Sequence, residues 1–323
     1  MAPRILSRNR QPRHRKGLAD ERRLCLMPAA VTVFVMDTGF DPDAAKEFPH
    51  VRLHAGFNMS RHGSPDDSSD PHGHGTAVAR TLLEACGPAP IRLVPVRLLD
   101  RRSALWERGR VADALERILR ELPEGPTVVC AAFGDGRHLL PDEPDGQPET
   151  AERIRELRRR GVAFVAAAGN FYAAARRQRC WGMSWPASCP DAVSVGAAVC
   201  GRGEGRRDEA DGCVPEAERL GEADGGLLEE RLREADGGAA GGWMLEPNSQ
   251  RAPAAAAVGG TTLFAPAHPP GHTSGAAAFA AGRLAALCSR FPGIGVDEQL
   301  ALLLAGAEFI ADDEGSSHWP LLL

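Results

Sequence analysis

The sequence has little of three things that would narrow its function: lysine, an excess of one charge sign, and a long apolar run. Of the 323 residues, only Lys16 and Lys46 are lysine, so the basic charge is almost entirely arginine, and the formal net charge is -5. A balance so close to neutrality gives no reason to expect a nucleic acid or another polyanion as partner. No stretch approaches the roughly 20 apolar residues of a membrane span, so no membrane partner is expected either.

Cysteine patterns typical of zinc sites are also missing. The sequence has eight cysteines, but no two of them form a CxxC pair, so no zinc site and no metal cofactor are expected. An even number of cysteines permits disulfides in a chain of this length without requiring them. Cys180 and Cys189 are near enough in sequence to close one loop, although spacing alone does not give the pairing.

The composition that is present, 43% hydrophobic and 25% charged, is typical of a soluble globular protein with a substantial core. Residues 1–29 form a basic N-terminal extension, which we expect to be mobile. The apolar stretch 24–36 has two interpretations, the core of a signal peptide or a buried strand. Its β-rich segment VTVFVM runs directly into Asp37, which favours the strand. No clear signal peptide is therefore expected, and the sequence indicates no cellular location.

Apolar strands alternate with amphipathic helices from residue 30 onwards. The predicted strands are VTVFVM, IRLVPVRLL, TVVCAAF, VAFVAAA and AVSVGAAV, and the predicted helices among them are TAVARTLLEAC, VADALERILREL and TAERIRELRRR. This alternation indicates an α/β fold, with a largely parallel sheet and helices on both faces. Further on, TTLFAPA predicts a strand, SGAAAFAAGRLAALCSRF a buried helix and VDEQLALLLAGAE a last helix. We expect one domain over 30–323.

A low-complexity stretch at about 201–250 interrupts the alternation. The tetrapeptide EADG occurs three times within 209–237, in a context rich in Gly, Arg and Glu. Three short copies are too few for a repeat architecture, so we predict an exposed, partly disordered insertion in the domain. A calcium site built from Asp211, Asp224 and Asp236 is a less favoured alternative, because the oxygen ligands of a calcium loop are spaced more densely.

Four polar residues lie where predicted strands end or helices begin. Asp37 ends the first strand, and His74 begins the helix that follows it. Asn170 follows the strand VAFVAAA, and Ser274 begins the Ala-rich helix. Because sites of parallel sheets form at the carboxyl ends of strands, these positions favour a functional site. Taken one by one, each residue has a plainer interpretation as a turn residue, a loop residue or a helix cap.

Together the four residue types permit nucleophilic chemistry. A buried carboxylate can orient a histidine that acts as general base near neutral pH. An asparagine amide can donate a hydrogen bond to an oxyanion, and a serine at a helix start has free N–H groups beside it. The competing interpretation takes His72 and His74 as metal ligands of a hydrolase, but a third ligand at useful spacing is not evident.

The order Asp, His, Asn and Ser in these local contexts resembles the subtilases, the subtilisin-like serine peptidases. Asp70 stands four residues before His74 and fits the D-x-x-G-H-G-T form of proteinase K-like members. The resemblance extends over about residues 30–305, apart from the insertion. The motifs that carry it are Asp37-Thr38-Gly39, His74-Gly75-Thr76, Ala168-Gly169-Asn170 and Thr273-Ser274.

The resemblance implies a subtilisin-like three-layer fold and a serine endopeptidase that works through an Asp-His-Ser triad. His74 would be the general base and Asp37 would orient it. Ser274 would attack the peptide carbonyl to form an acyl-enzyme, while Asn170 would hold the oxyanion. No cofactor would be required for this chemistry, and a structural calcium ion is compatible with it.

The resemblance also implies how a substrate binds. A protein or peptide would add as an extended strand between segments 100–106 and 131–135, so Ala132, Phe133 and Gly134 are expected to contact it. Asp135 follows these residues and brings a charge near the primary specificity pocket, which predicts a preference for a basic side chain. The protein is expected to be a monomer.

The motif around Ser274 departs from the family pattern. The family usually has Gly directly before its Thr-Ser pair, where this chain has His272; histidine is costly there if the position needs a positive φ. Gly275 and Ala278 replace the usual Met and Pro, at little expected cost. The connection before the motif is short, with 268–270 alone between LFAPA and GHTSG. These departures leave open a catalytically impaired protein of this fold that binds a peptide or a protein partner.

Overall fold

An eleven-stranded sheet runs through the described part of the chain, and helices cover both of its faces. The structure is a computed structural model that describes residues 28–140, 143, 146–175, 181–201, 242–253, 260–312 and 317–323. The strands are β1 Val31–Asp37, β2 Val51–Leu53, β3 Phe57–Asn58, β4 Ile91–Arg97, β5 Thr127–Ala131, β6 Ala163–Ala167, β7 Val193–Cys200, β8 Trp243–Leu245, β9 Leu263–Pro266, β10 Glu308–Ala311 and β11 His318–Leu321. The helices are α1 His74–Cys86, α2 Gly109–Arg120, α3 Pro148–Arg159, α4 Tyr172–Ala175, α5 His272–Arg290 and α6 Val296–Leu303, with a 3-10 helix at Pro42–Glu47.

The order of the strands is β10-β11-β9-β7-β6-β5-β1-β4-β2, while β3 pairs with β4 and β8 pairs with β7. Every pair of neighbouring strands is parallel except β10 with β11 and β7 with β8. The predicted α/β fold with a largely parallel sheet is confirmed. The first predicted strand is confirmed as well, because all seven residues of β1 are buried.

Side chains of β1 alternate between two hydrophobic clusters. Val33 and Val35 pack with residues of α1 and α5 on one face of the sheet. Phe34 and Met36 pack with residues of α2 and α3 on the other face. Successive side chains of a strand point to opposite faces, so a strand buried on both sides is expected to be predominantly apolar. The run VTVFVM is apolar at every position except the buried Thr32, and it separates the two helix layers.

The position of β1 in the sheet creates a crevice. It lies between β4 and β5, and the connection to β4 contains α1 on one face, whereas the connection from β4 to β5 contains α2 on the other. Connections that leave the sheet in opposite directions open a crevice at the carboxyl ends of the strands between them. Asp37 ends β1 and Ala132 follows β5, so both residues lie at this edge.

Two boundaries predicted from the sequence are wrong. The last helix was expected to continue to Glu308, but α6 ends at Leu303 and β10 begins at Glu308. Gly306 has a φ of +82°, a left-handed conformation that ends a helix rather than extending it. The insertion was expected to end near residue 250, but β8 already pairs with β7, and the segment behind it is buried at Gln250.

The remaining segment predictions fall outside the described residues. The basic extension is described only from residue 28, and 202–241 of the predicted insertion is not described, which includes its three candidate calcium ligands. Among the helices that the structure describes, none is both long and apolar enough to cross a membrane.

Helices α1 and α5 pack very closely. A Cβ at Gly282 of α5 would lie 2.3 Å from the carbonyl oxygen of Leu82 and 2.7 Å from the Cβ of Ala85, both on α1. Leu82 is eight residues after His74, and Gly282 is eight residues after Ser274. The contact therefore sets the first turns of the two helices at the same level, beside the crevice.

We expect Gly282→Ala to lower the free energy of unfolding by about 1–3 kcal/mol, because the added methyl group has to push the helices apart. Urea denaturation monitored by circular dichroism measures the change. Gly109→Ala at the start of α2 is the matched control, since the atom nearest to its added Cβ lies 4.0 Å away. Equal effects of the two substitutions would contradict the close contact.

Candidate functional site

Asp37 and His74 form a buried hydrogen bond at the carboxyl end of β1. The Asp37 side chain is fully buried, and its Oδ1 accepts hydrogen bonds from the backbone N–H of Thr38 and from Nδ1 of His74, each at 2.7 Å. A carboxylate only accepts, so Nδ1 carries the proton. The neutral imidazole then keeps a lone pair on Nε2, which is the form that a general base needs.

Asp70 ties the loop after β1 to the first turn of α1. Its Oδ1 accepts from the Thr38 hydroxyl at 2.7 Å and from the Gly73 N–H at 2.8 Å, and its Oδ2 accepts from the N–H and hydroxyl of Thr76 at 2.8 and 2.7 Å. The Thr38 oxygen in turn accepts from the N–H of Gly75 at 2.9 Å. Burial disfavours the Asp70 carboxylate, but these hydrogen bonds outweigh burial and lower its pKa to about 2. Asp70 therefore stays ionised.

The environment of His74 favours its protonated form. Burial lowers the pKa of the imidazole, but the hydrogen bond with Asp37 and the negative charges of Asp37 and Asp70 outweigh burial, so the pKa lies above the ordinary histidine value. The same partners that orient the ring therefore strengthen it as a base.

Asn170 is oriented by Thr273. Its Oδ1 accepts hydrogen bonds from the backbone N–H of Thr273 at 3.1 Å and from the Thr273 hydroxyl at 2.6 Å. The hydroxyl oxygen also accepts from the N–H of Gly169 at 3.2 Å. Because a backbone N–H always donates, its partner on Asn170 must be the oxygen, and the amide NH₂ is left for another acceptor.

Ser274 lies in the first turn of α5 and is 6% exposed. Its Oγ donates to the carbonyl oxygen of Ala132 at 3.0 Å, and no hydrogen bond joins it to His74 within the described residues. The N–H of Ser274 makes no backbone hydrogen bond in the described part of the chain, as is usual in the first turn of a helix.

His74, Asn170 and Ser274 line one cavity of about 220 Å³. Asp37 stands behind His74, and the remaining predicted site residues line the cavity directly. The lining residues are His74, Leu99, Ser103, Ala132, Phe133, Gly134, Ala167, Gly169, Asn170, Phe171, Ser184, Thr273 and Ser274.

Of the first predicted substrate segment, 100–106, only Ser103 lines the cavity, together with Leu99 just before it. Asp100 folds this segment into a turn, because its carbonyl accepts from the Ser103 N–H at 2.9 Å and its Oδ1 accepts from the Ala104 N–H at 3.1 Å. The second segment contributes Ala132, Phe133 and Gly134 to the lining of the cavity.

The expected effect of Asp135 needs correction. Its side chain is 7% exposed and forms ion pairs with Arg137 at 2.6 Å and Arg108 at 3.1 Å. Its Oδ1 also accepts from the backbone N–H of Trp185 at 3.2 Å. The negative charge is neutralised by these two arginines, so the reason for expecting a basic side chain in the pocket is gone.

Sequence reasoning missed the residues that support the Asn170 loop. The N–H of Gln250 donates to the carbonyl of Gly169 at 2.8 Å, and Oε1 of Gln250 accepts from the hydroxyl of Ser184 at 2.9 Å. Both side chains are fully buried. Gln250 lies within the stretch assigned to the insertion, and no local motif marks it.

The position of His272 does have a positive φ, the conformation in which a histidine is costly. Its φ is +50°, in the left-handed region that favours glycine. Its Nδ1 lies 3.2 Å from Oε1 of Glu246, whose side chain is 8% exposed. The hydrogen bond with Glu246 raises the pKa of His272, against the lowering effect of burial. A missed residue, Glu246, is thus the partner of the unusual histidine.

Gly275 proves to be required rather than merely tolerated. A Cβ at this position would lie 1.6 Å from the carbonyl oxygen of His268. The short connection 268–270 runs directly over the helix start, so its backbone occupies the space of a side chain. The shortened connection is therefore the physical reason why Gly275 stands where the family usually has Met.

The described residues contain no group of three or more His, Cys, Asp or Glu side chains that could hold a metal ion. His72 and His74 lie with ring centroids 6.2 Å apart, and His74 uses Nδ1 for Asp37. The candidate disulfide lies partly outside the described residues, since Cys180 is among those not described.

A sequence profile described as the Subtilase family matches residues 29–318. The chain belongs to the subtilase family. A solved structure of a cold-adapted subtilisin-like serine proteinase aligns with a TM-score of 0.56 and 19% identity, over 90% of this chain and 88% of that one. Sphericase aligns with a TM-score of 0.57 and 16% identity, over 87% of this subtilase and 86% of that chain. No curated protein matches the sequence.

The first prediction from the site concerns the proton on His74. We expect an imidazole pKa above the ordinary histidine value, and a lower one in Asp37→Asn, because the amide removes the charge that favours the imidazolium. NMR titration of the histidine ring protons measures both values. Asp43→Asn, which removes an exposed carboxylate, is the matched control and should leave His74 unchanged. An unshifted His74 in Asp37→Asn would contradict the geometry.

The second prediction concerns the glycine after Ser274. Gly275→Ala should lower the free energy of unfolding by about 1–3 kcal/mol, because the methyl group collides with the His268 backbone. Thermal unfolding measures the loss. Gly295→Ala, where a Cβ would meet no atom within 4 Å, is the control. A stable Gly275→Ala protein would mean that the connection does not lie over the helix start.

Proposed function

We propose that this subtilase is a serine endopeptidase that cleaves protein or peptide substrates through Asp37, His74 and Ser274. The observation that carries the proposal is the 2.7 Å hydrogen bond between Asp37 and Nδ1 of His74, on a cavity that Ser274 also lines. We further propose that residues 30–323 form the peptidase domain, with 202–241 inserted between β7 and β8 and residues 1–29 as an extension.

In the proposed reaction, Ser274 Oγ attacks the substrate carbonyl carbon while its proton passes to Nε2 of His74. Collapse of the tetrahedral intermediate breaks the C–N bond, and His74 returns the proton to the leaving amine. Water then attacks the acyl ester with His74 again as base, which releases the acid and restores the serine. Asp37 stabilises the imidazolium in both steps.

The oxyanion would be held by two donors. The NH₂ group of Asn170 faces away from Thr273, and the N–H of Ser274 lies at the positive end of α5. Preorganised donors of this kind contribute roughly 3–4 kcal/mol each when they match the developing charge.

The Ser274 hydroxyl has to leave the carbonyl of Ala132 before it can reach His74. Rotation about one side-chain bond exchanges staggered serine rotamers and is fast on the time scale of catalysis. A substrate that pairs its backbone with Ala132 would compete for the same carbonyl and favour this rotation. Catalytic hydrogen bonds are often unformed before substrate binds.

The second candidate function is a binding module that holds a peptide without cutting it. The observation that favours it is the resting hydrogen bond of Ser274 to Ala132 in place of His74. A binder would use the same backbone edge at Ala132 and Gly134, which line the cavity, but would lack an activated nucleophile.

A fluorophosphonate probe tests the proposed function. We expect one covalent adduct on Ser274 in the full chain, no adduct in Ser274→Ala, and labelling slowed by at least about three orders of magnitude in His74→Ala. His72→Ala is the matched control, because this neighbouring histidine does not contact Asp37, and it should be labelled at the normal rate. Folded protein that binds peptide but remains unlabelled would support the binding module instead.

A further inference from the structure

The pair of Glu246 and His272 lies directly beside the proposed nucleophile. His272 is the first residue of α5, two before Ser274, and it holds a left-handed φ of +50° although it carries a Cβ. Left-handed backbone is unfavourable for residues other than glycine and persists only where the surroundings hold it. The ring of His272 has Glu246 as its partner, with Nδ1 at 3.2 Å from Oε1 of the carboxylate.

The backbone at His272 determines where the next N–H points. That N–H belongs to Thr273, and it donates to Oδ1 of Asn170 at 3.1 Å. If His272 relaxed to a negative φ, the following peptide group would turn, and Asn170 would lose one of the two hydrogen bonds from Thr273 that orient its amide. The conformation of His272 is therefore coupled to both the Ser274 backbone and the Asn170 side chain.

Glu246 belongs to a short segment, 246–250, that supports the opposite side of the cavity as well. The carbonyl of Asn248 accepts from the N–H of Tyr172 at 3.0 Å, and the N–H of Gln250 donates to the carbonyl of Gly169 at 2.8 Å. These two contacts flank Asn170 on both sides. One segment thus holds the Asn170 loop through its backbone and the start of α5 through Glu246.

We propose that Glu246 is a positioning residue of the peptidase: its contact with His272 keeps the helix start in the left-handed conformation that aligns Ser274 with Asn170. This rests on the proposed function. A glycine at this position would adopt a positive φ without a partner, whereas a residue with a Cβ needs contacts that hold it. Glu246 touches no reacting atom, and it acts only through His272.

A double-mutant cycle separates this role from general structural support. Glu246→Ala should lower kcat for hydrolysis of p-nitrophenyl acetate about tenfold, with KM changed less than about twofold, because alignment is lost and binding is not. His272→Gly should keep kcat near the normal value, because glycine adopts a positive φ without strain. In the His272→Gly background, Glu246→Ala should then cost less than about twofold.

His272→Ala is the matched control for the cycle, because it removes the imidazole and retains the Cβ. It should lose activity as Glu246→Ala does, whereas His272→Gly should not. An equal loss from Glu246→Ala in the histidine and glycine backgrounds would overturn the proposal, since Glu246 would then act on something other than His272.

Amide hydrogen exchange gives a readout that does not need activity. The Thr273 N–H should exchange faster in Glu246→Ala and regain its protection when His272→Gly is added. An inactive wild type would overturn the proposed function alone, and the exchange rates would still decide this proposal. Unchanged protection of Thr273 in Glu246→Ala would overturn it.

Discussion

The close packing of α1 against α5 at Gly282 is the constraint on which the geometry of the site depends. At Gly282 the two helices approach so closely that the carbonyl oxygen of Leu82 occupies the place of a side chain. Such an approach requires small residues, which explains why α5 is rich in alanine and glycine along most of its length. Since His74 begins one helix and Ser274 lies in the first turn of the other, their spacing follows from how the core packs.

Around that contact, the departures from the usual family pattern form one coupled set. The short connection 268–270 brings its backbone over α5, which makes glycine necessary at Gly275. The same connection leads to His272, which has a left-handed backbone conformation. Its imidazole contacts the carboxylate of Glu246, which belongs to another segment of the chain. The departures from the serine motif in the sequence are thus connected in three dimensions by contacts on both sides of Ser274.

The sequence predicts the central part of the fold because its signals are local. The largely apolar run of β1 and the helical spacing of Val111, Leu115, Ile118 and Leu119 in α2 are readable without any tertiary knowledge, and all are buried. Asp37 and His74 were predictable for the same reason, since each stands at a recognisable strand or helix end. The strands β8, β10 and β11 were missed because each is only three or four residues long, which is too short to show a clear hydrophobic pattern.

Other features could not be read from the sequence because they depend on contacts between distant segments. Asp135 was assigned a free charge, but its partner Arg108 comes from the start of α2. Glu246 and Gln250 lie behind a low-complexity stretch and act on Gly169 and His272, far away in the chain. No periodicity or motif in the sequence indicates such contacts, because the segments become neighbours only through the order of the strands in the sheet.

The placement of His74 and Ser274, the proposed base and nucleophile, on one face of one sheet has a consequence for the proposed reaction. Both side chains project from helices that pack with the same side of β1, within a single hydrophobic cluster. Their separation is therefore set once, when the protein folds, and does not await the closing of two lobes around a substrate. In the proposed reaction, a substrate then needs only the backbone edge at Ala132 and a rotation of the Ser274 hydroxyl.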